Sequence, residues 1–530
     1  MKRLTSTVPL LRRWVANRLL AILILLPAPV VAQTNFLIIS FDDLRVWNDT
    51  ILERIYPDAG LRAANAARLT PDIDRLSTRA VTFSNAICPV PICNPARISM
   101  LSGVRSWQSG LYGNGAYWAD YPVITNRATF IHSALKAGGY QTVGIGKVFN
   151  SSAISPPNDY TVSNGWSNFI STAPSTIGNV SEHAYSPVGA QIRTTDGTLA
   201  QQPGPILAAF ASNLLATGTA SHDDSVLESS VEINLTEPFA LFVGFTDPHT
   251  PHDIPDSGAW LTNFPVADMT GVTDTWFSAI ASDTNDLSSA TLAYLPYATH
   301  TDLVAASPGD SGAAAYRTWL QYYLADCKLA WQEFGFVLDG LEAGAYNTNT
   351  VVILWSDSGY GVGSKTWVGA KSLPWPEICR VPFYISDPFT SNQWGSVSTA
   401  PVNLMDVYRT ALDYAGVTPV SYAAGESIRR FVEDPTLVEA GRWTYGDALG
   451  GAMRYYMTYD GFFADTDMAG DFEIYASADD EGTTNLVGQT VWDARAAQTK
   501  VLGGINIDRD EWWNTAPGST MRIGVRAYPK

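Results

Sequence analysis

Four short apolar runs frame the chain. They are Asn35 to Phe41 (NFLIISF), Gln141 to Ile145 (QTVGI), Pro238 to Phe245 (PFALFVGF) and Thr350 to Trp355 (TVVILW). Their length and β-rich, apolar composition are those of buried strands. Each gives way at once to polar residues: Asp42-Asp43, Gly146-Lys147, Asp247-Pro248-His249 and Ser356-Asp357-Ser358. In doubly wound sheets ligands bind beyond the carboxyl ends of parallel strands. Four such ends predict a single site assembled from distant segments.

Helical patterns separate the runs. Ala128 to Lys136 leads into Gly138-Gly139, Ala313 to Leu341 is closed by Gly344, and Asn403 to Tyr414 by Gly416. Glycine just past a periodic apolar stretch is a helix stop signal. The alternation predicts an α/β fold with a large central, mostly parallel mixed sheet flanked by helices. Arg380 to Ser386 (RVPFYIS) adds a further strand. From Arg442 onward, short aromatic runs (MRYYMTY, DGFFA, FEIYAS) predict a smaller C-terminal α+β domain with an antiparallel sheet. The expected division is residues 33–390 for the larger α/β domain and 391–530 for the smaller one. Segments 151–220 and 253–312, rich in Ser, Thr, Asn, Gly and Pro, read as surface insertions.

Composition narrows the partners. Hydrophobic residues make up 46% of the 530 and charged ones only 16%, which fits a globular chain with a large core. Residues 1–32 place Lys2, Arg3, Arg12, Arg13 and Arg18 around an apolar run, Leu19 to Leu26, that ends in the small residues Val30-Val31-Ala32. That is the pattern of a cleaved signal peptide, so a periplasmic or secreted protein is expected. Removing those five basic residues takes the formal charge from −18 to −23, which argues against a nucleic-acid partner. No other long apolar run exists, so no stable membrane span is expected in the mature chain. Four cysteines make no disulfide scaffold.

The densest chemistry lies at Cys93-Asn94-Pro95-Ala96-Arg97, a C-x-P-x-R pentapeptide opening the helix-compatible run Ile98 to Leu101. Proline suits a first helical turn. A thiol there faces unpaired backbone N–H groups, which favour an anionic or strongly polar group, and Arg97 adds an always-charged fork. Two adjacent aspartates at a strand end, Asp42-Asp43, offer the clustered oxygens that hard cations take.

With Ser102-Gly103 following at the matching distance, this stretch resembles the signature of the type I, formylglycine-dependent sulfatases of the alkaline-phosphatase-like superfamily. The bacterial iduronate-2-sulfatase-like members are closest in motif. The resemblance runs from Asn35 to about Leu486, where Glu473 to Leu486 is similar to the family's closing strand and turn. It implies that a formylglycine-generating maturation enzyme oxidises Cys93, whose hydrated aldehyde becomes the nucleophile, with Arg97 stabilising charge. It implies calcium, or another divalent cation, held beside Cys93 by Asp42, Asp43 and Asp357, with Ser358 at the next ligand position. Gly146-Lys147 matches the segment whose lysine holds the sulfate group. Asp247-Pro248-His249-Thr250-Pro251 matches the P-H-x-P element, making His249 the sulfate contact and proton donor. Trp367 to Arg380 resembles the segment that puts a lysine at the leaving-group oxygen: Lys371, with Lys365 a nearby competitor. Only seven lysines follow residue 32 and only six histidines exist in the chain, so matches at these positions carry weight.

The implied reaction is hydrolysis of a sulfate ester on a sulfated carbohydrate. A phosphate mono- or diesterase of the same superfamily and a catalytically degenerate, glycan-binding member are the competing readings. Two departures speak for degeneracy. Ser358 replaces a metal-ligating amide or imidazole, and Asn150 stands where the iduronate-2-sulfatase-like members carry a histidine that helps expel sulfate from the covalent intermediate. Asparagine is no base at neutral pH, and a missing general base typically costs about 10²–10⁴-fold in its step. Wild type is therefore expected to release a burst of alcohol before slow steady-state turnover, with His252 the first substitute base to test. Stopped-flow measurement of Asn150→His should show a faster steady state and a smaller burst. Rapid wild-type turnover without a burst would mean that another group has taken the role.

Overall fold

Alternate side chains on the apolar runs enter two separate cores. On Asn35–Phe41 (β1), Leu37, Ile39 and Phe41 belong to one core, while Phe36 and Ile38 belong to the other. The run at Thr350–Ser356 divides in the same way, with Val352 and Leu354 against Val351, Ile353 and Trp355. Strands apolar on both faces belong in a sheet covered by helices on both sides. The computed structural model describes residues 34–47, 49–150, 165–170, 180–183, 192–195, 203–224, 229–250, 252–255, 259–280, 312–363, 368–439, 442–448, 453–458, 462–467 and 472–476. The expected signal segment 1–32, Lys365 and residues 477–486 of the closing motif lie outside them.

The main sheet has eight strands. After β1 come Val81–Phe83 (β2), Gln141–Gly146 (β3), Asn168–Ile170 (β4), Phe239–Gly244 (β5), Thr350–Ser356 (β6), Phe383–Ser386 (β7) and Val397–Ser398 (β8). Their order is β8-β2-β7-β6-β1-β5-β3-β4. β1 lies between β5 and β6, parallel to both, and β3 and β4 continue the parallel half. β7 runs antiparallel to β6 and β2, making the sheet mixed. The expected architecture is present: β1 has the expected bounds, and the ends of β3, β5, β6 and β7 differ by one to three residues.

Five helices matter for the site: Cys93–Ser102 (α1), Ile131–Ala137 (α2), Pro203–Thr217 (α3), Ala313–Ala343 (α4) and Asp406–Ala415 (α5). α3 and α4 cover the first core through residues such as Leu207, Leu214, Leu320 and Phe334, and α1, α2 and α5 cover the second. α3 corrects the reading of 151–220 as a surface insertion. Its Leu207, Ala211 and Leu214 are buried at helical spacing inside a segment whose average composition looked loop-like. α2 starts three residues later than expected because Ala128 caps the preceding helix, Pro122–Arg127, in extended backbone. α5 is delayed to Asp406, whose Oδ2 accepts from the Asn403 N–H (2.9 Å) in a turn before the helix begins.

Beyond residue 390, β8 still joins the main sheet, parallel to β2. The small antiparallel sheet follows, built from Trp443–Ala448 (β9), Met453–Thr458 (β10), Phe462–Asp467 (β11) and Phe472–Ala476 (β12). It braces the stretch before Cys93: the Asp447 N–H donates to the Pro89 carbonyl (2.9 Å) and the Tyr455 hydroxyl to that of Cys88 (2.6 Å). Among the described residues, no helix is long and apolar enough to cross a membrane.

Close backbone contact positions one corner of the site. Gly146, at φ +73°, ends β3 in left-handed backbone, and the Lys147 N–H donates to the Gly244 carbonyl at the end of β5 (2.8 Å). A Cβ on Gly244 would collide with the Lys147 carbonyl, and one on Gly146 with the Gly244 carbonyl. Backbone cannot move aside as a flexible side chain can. Gly244→Ala is therefore expected to destabilise the fold by about 1–3 kcal/mol, the usual cost of overpacking, and to displace Lys147. Thermal melting checks the first part. An unchanged melting temperature would show that the two strand ends are not locked together.

Candidate active site

α1 begins at Cys93 immediately after extended Ile92, so the thiol stands in the first helical turn. Arg97 follows four residues later, on the same helix face. Both are fully buried. Gly103, at φ +69°, ends the helix where an added Cβ would strike Ala423. The predicted small-residue segment after the pentapeptide is thus a helix stop.

The strand ends meet at this helix terminus. Ligand atoms of Asp42 and Asp43 after β1, Cys93 on α1, and Asp357 after β6 all lie within 4.8 Å of one another. The thiol donates to Asp42 Oδ1 (3.0 Å), and Lys147 Nζ is paired with Asp42 Oδ2. Lys371 Nζ donates to Asp43 Oδ2 (2.8 Å) and lies 3.2 Å from Cys93 Sγ and 3.0 Å from His249 Nε2. Arg97 Nε donates to Asp357 Oδ2 (2.7 Å), Nη1 to Ser40 Oγ (3.1 Å) and Nη2 to the Phe41 carbonyl (2.9 Å). Ser358 Oγ donates to Asp43 Oδ1 (3.0 Å). Every described member of the predicted constellation is therefore in one cluster, and the lysine at its edge is Lys371. Asn150 is buried three residues beyond Lys147.

Other residues hold the cluster in place. Asp43 sits in left-handed backbone (φ 61°), with its N–H donating to Asp357 Oδ1 (3.2 Å) and its carbonyl accepting from Tyr323 Oη of α4 (2.8 Å). The Leu44 N–H donates to Ser356 Oγ (3.0 Å), and a buried pair, Arg45 and Glu377 (3.1 Å), lies just behind. Sequence reasoning missed Tyr323, Arg45 and Glu377. The only signal for them was polar groups within apolar patterns.

Electrostatics decide the protonation state of residue 93. Burial and the neighbouring Asp42 push the Cys93 thiol well above its usual range, although Lys371 opposes the shift. Three carboxylates and an enclosed site outweigh the helix terminus, so residue 93 as cysteine is a protonated donor and no thiolate nucleophile. Burial also disfavours charge on Asp42, but Lys147, His249, Arg97 and Lys371 hold it well below the carboxylate range. Burial, with Asp42 and Asp43 adding to it, pushes Asp357 up to about 7 despite Arg97. His249 is pushed down by burial, against the pull of Asp42. Its Nδ1 lies against the Thr250 carbonyl and its Nε2 faces Lys371, so these two groups meet at one spot with a proton between them.

His252 is enclosed by Trp319, Tyr323 and Tyr360, with ring centroids 5.3–6.3 Å away, and its Nδ1 is 2.9 Å from Asp326 Oδ2. A ring committed in this way is a poor stand-in for a base at Cys93.

The donor chemistry suits a hard cation. Three buried carboxylates converging within reach of one ion need positive charge, and the elevated Asp357 is the unmet part of that need. The model of the family described as Sulfatase matches residues 34–417. The chain belongs to the sulfatase family. It is thereby a sulfuric ester hydrolase by class. A sulfatase of Formosa agariphila is 26% identical over 464 residues, which cover 85% of this chain and 82% of that one. Iduronate 2-sulfatase of Mus musculus is 25% identical over 429 residues, covering 72% and 69%. Among solved structures, the phosphonate monoester hydrolase of Agrobacterium radiobacter shares the fold, with a TM-score of 0.64 at 16% identity over 89% of this chain and 95% of that one.

In this sulfatase the cation would be held by Asp42, Asp43 and Asp357, with Ser358 a weak hydroxyl neighbour. Binding to the folded state alone stabilises it by about 2.7 kcal/mol at a hundred times the dissociation constant. Calcium is expected to raise the melting temperature, and chelator to lower both melting temperature and activity. Asp357→Asn should abolish the calcium-dependent rise. If chelator changes neither property and elemental analysis finds no divalent metal, the carboxylates are neutralised by Lys147, Lys371 and Arg97 alone.

Proposed function

We propose that the enzyme hydrolyses a sulfate ester on a sulfated carbohydrate, with residue 93 as formylglycine and a divalent cation, calcium first, at the three aspartates. The observation that carries this reading is the buried cluster of one residue-93 donor, three carboxylates and three cations at a single helix terminus. The fit of the modified residue is chemical: the Asp42 carboxylate already accepts a hydrogen bond from the residue-93 side chain (3.0 Å), as it would from a hydroxyl. When present, formylglycine supplies a hydrated aldehyde nucleophile, and the cation supplies charge neutralisation at the sulfate oxygens.

The chain's own residues do the rest. Arg97, Lys147 and Lys371 surround a small anion with fixed positive charge in an enclosed site, where preorganised charge is most effective. Asp42 holds the hydroxyl of the nucleophile. The Lys371–His249 pair meets the leaving oxygen, and an anionic substrate beside His249 opposes the burial that lowers its proton affinity. His249 then gives its Nε2 proton to the departing alcohol. The carbohydrate comes from the resemblance to iduronate 2-sulfatase. Export to the periplasm or beyond rests on the N-terminal segment, and a maturation enzyme acting on Cys93 is required.

A phosphorus ester is the second reading, favoured by the fold shared with the phosphonate monoester hydrolase. Paired assays of 4-nitrophenyl sulfate and 4-nitrophenyl phosphate separate the two, since both esters release the same alcohol. The sulfate ester is expected to be the better substrate. Mass spectrometry of the peptide holding residue 93 should find formylglycine after co-expression with a maturation enzyme. Cys93→Ala should fold normally and lose turnover. An active Cys93→Ala variant would sink the mechanism, while glycan binding without sulfate release by the matured wild type would mark a degenerate, binding member.

A further inference from the structure

One face of α4 carries two acidic side chains seven residues apart, Asp326 and Glu333, in a helix otherwise apolar toward the core. Both are fully buried. Seven residues are two helical turns, so the two groups share a face. They meet residues on either side of His249. Asp326 Oδ2 accepts from His252 Nδ1 (2.9 Å), three residues after His249. Glu333 lies within hydrogen-bonding reach of Asp247, two residues before it.

The second contact joins two carboxyl groups and is possible only with a proton between them. Among the described residues, neither Glu333 oxygen has an N–H or O–H donor. Gly204 of α3 closes over that carboxyl so tightly that a Cβ there would overlap Oε1. Two carboxylates in such a place cannot both ionise. Burial, then the charges of Asp247 and Asp326, push Glu333 well above the carboxylate range, so it holds the proton and donates to Asp247. Asp42 is the other acidic group acting on Asp247. Burial also takes His252 down to about 3, leaving a neutral ring whose Nδ1–H donates to Asp326.

We propose that Glu333 and Asp326 are positioning residues for His249, gripping Asp247 before it and His252 after it from one helix face. This inference rests on the reading of His249 as the acid that protonates the departing alcohol. Proton transfer from a positioned acid matters most when the leaving oxygen is strongly basic, and a misplacement near 1 Å can cost about 10²-fold.

The test uses the matured full chain with two esters: 4-nitrophenyl sulfate, whose leaving group needs little protonation, and an alkyl or sugar sulfate, whose leaving group needs it. Glu333→Ala should lower kcat/KM for the second ester by about 10²-fold and for the first far less, the same selectivity as His249→Ala. Glu333→Gln, which keeps a donor to Asp247, should restore most of the lost rate. An equal loss on both esters, or glutamine no better than alanine, would overturn the proposal.

A second arm needs no activity. A carboxyl whose folded pKa is raised contributes stability that is complete at low pH and is lost as pH rises through the folded value. Melting temperatures of wild type and Glu333→Gln should therefore diverge with rising pH in favour of glutamine. Parallel curves would show that Glu333 holds no proton and would overturn the grip on Asp247, even if Glu333→Ala fails to fold. If wild type releases sulfate from neither ester while the melting curves diverge, the functional reading falls and the grip on Asp247 stands.

Discussion

Charge cannot be buried unbalanced, and most of this molecule is arranged around that constraint. Asp42, Asp43 and Asp357 are removed from water together with Arg97 and Lys147, with the half-buried Lys371 at the edge, at a depth where an unpaired ion costs several kcal/mol. No single segment contains both signs in the right place. The aspartates come from the ends of β1 and β6, the arginine from α1, and the lysines from the ends of β3 and a later loop. The site is therefore a consequence of sheet closure. Register between neighbouring strands decides whether each charge meets its partner.

Rigid backing keeps those partners from relaxing apart. Tyr323 holds the strained backbone of Asp43, the Gly146–Gly244 contact holds Lys147, and the small antiparallel sheet holds the stretch before Cys93. Each support lies on an element whose apolar residues are spent in one of the two cores. Packing energy is in this way converted into electrostatic preorganisation, the usual source of power in sites that stabilise a developing anion.

The parts of the fold that were legible in the sequence are those written as local patterns. β1 was readable to the residue because seven consecutive buried positions end abruptly in two aspartates. α4 was readable because its period persists over 31 residues. Cys93, Arg97, Asp42, Asp43, Asp357, Lys147, His249 and Lys371 were legible because each follows a strand end or sits in a distinctive short motif. What stayed hidden depends on contacts between distant segments. α3 was lost in an averaged composition, and no local pattern tells that Asp247 lies against Glu333. The protonation state of Cys93 stayed hidden for the same reason. A helix terminus is visible in the sequence, but the three carboxylates that override it are brought there by the fold.

Cys93 has no exposed surface once the chain has closed around it. Its neighbours Asp42 and Asp357 lie 51 and 264 residues away in sequence, so the enclosure forms only as non-local contacts complete, the slow part of folding for such topologies. Any enzyme that oxidises this side chain must reach it while the chain is still open. If residue 93 is matured as proposed, the final yield of active protein would be set by a race between two rates, modification and collapse, and a faster-folding variant would be the less active one.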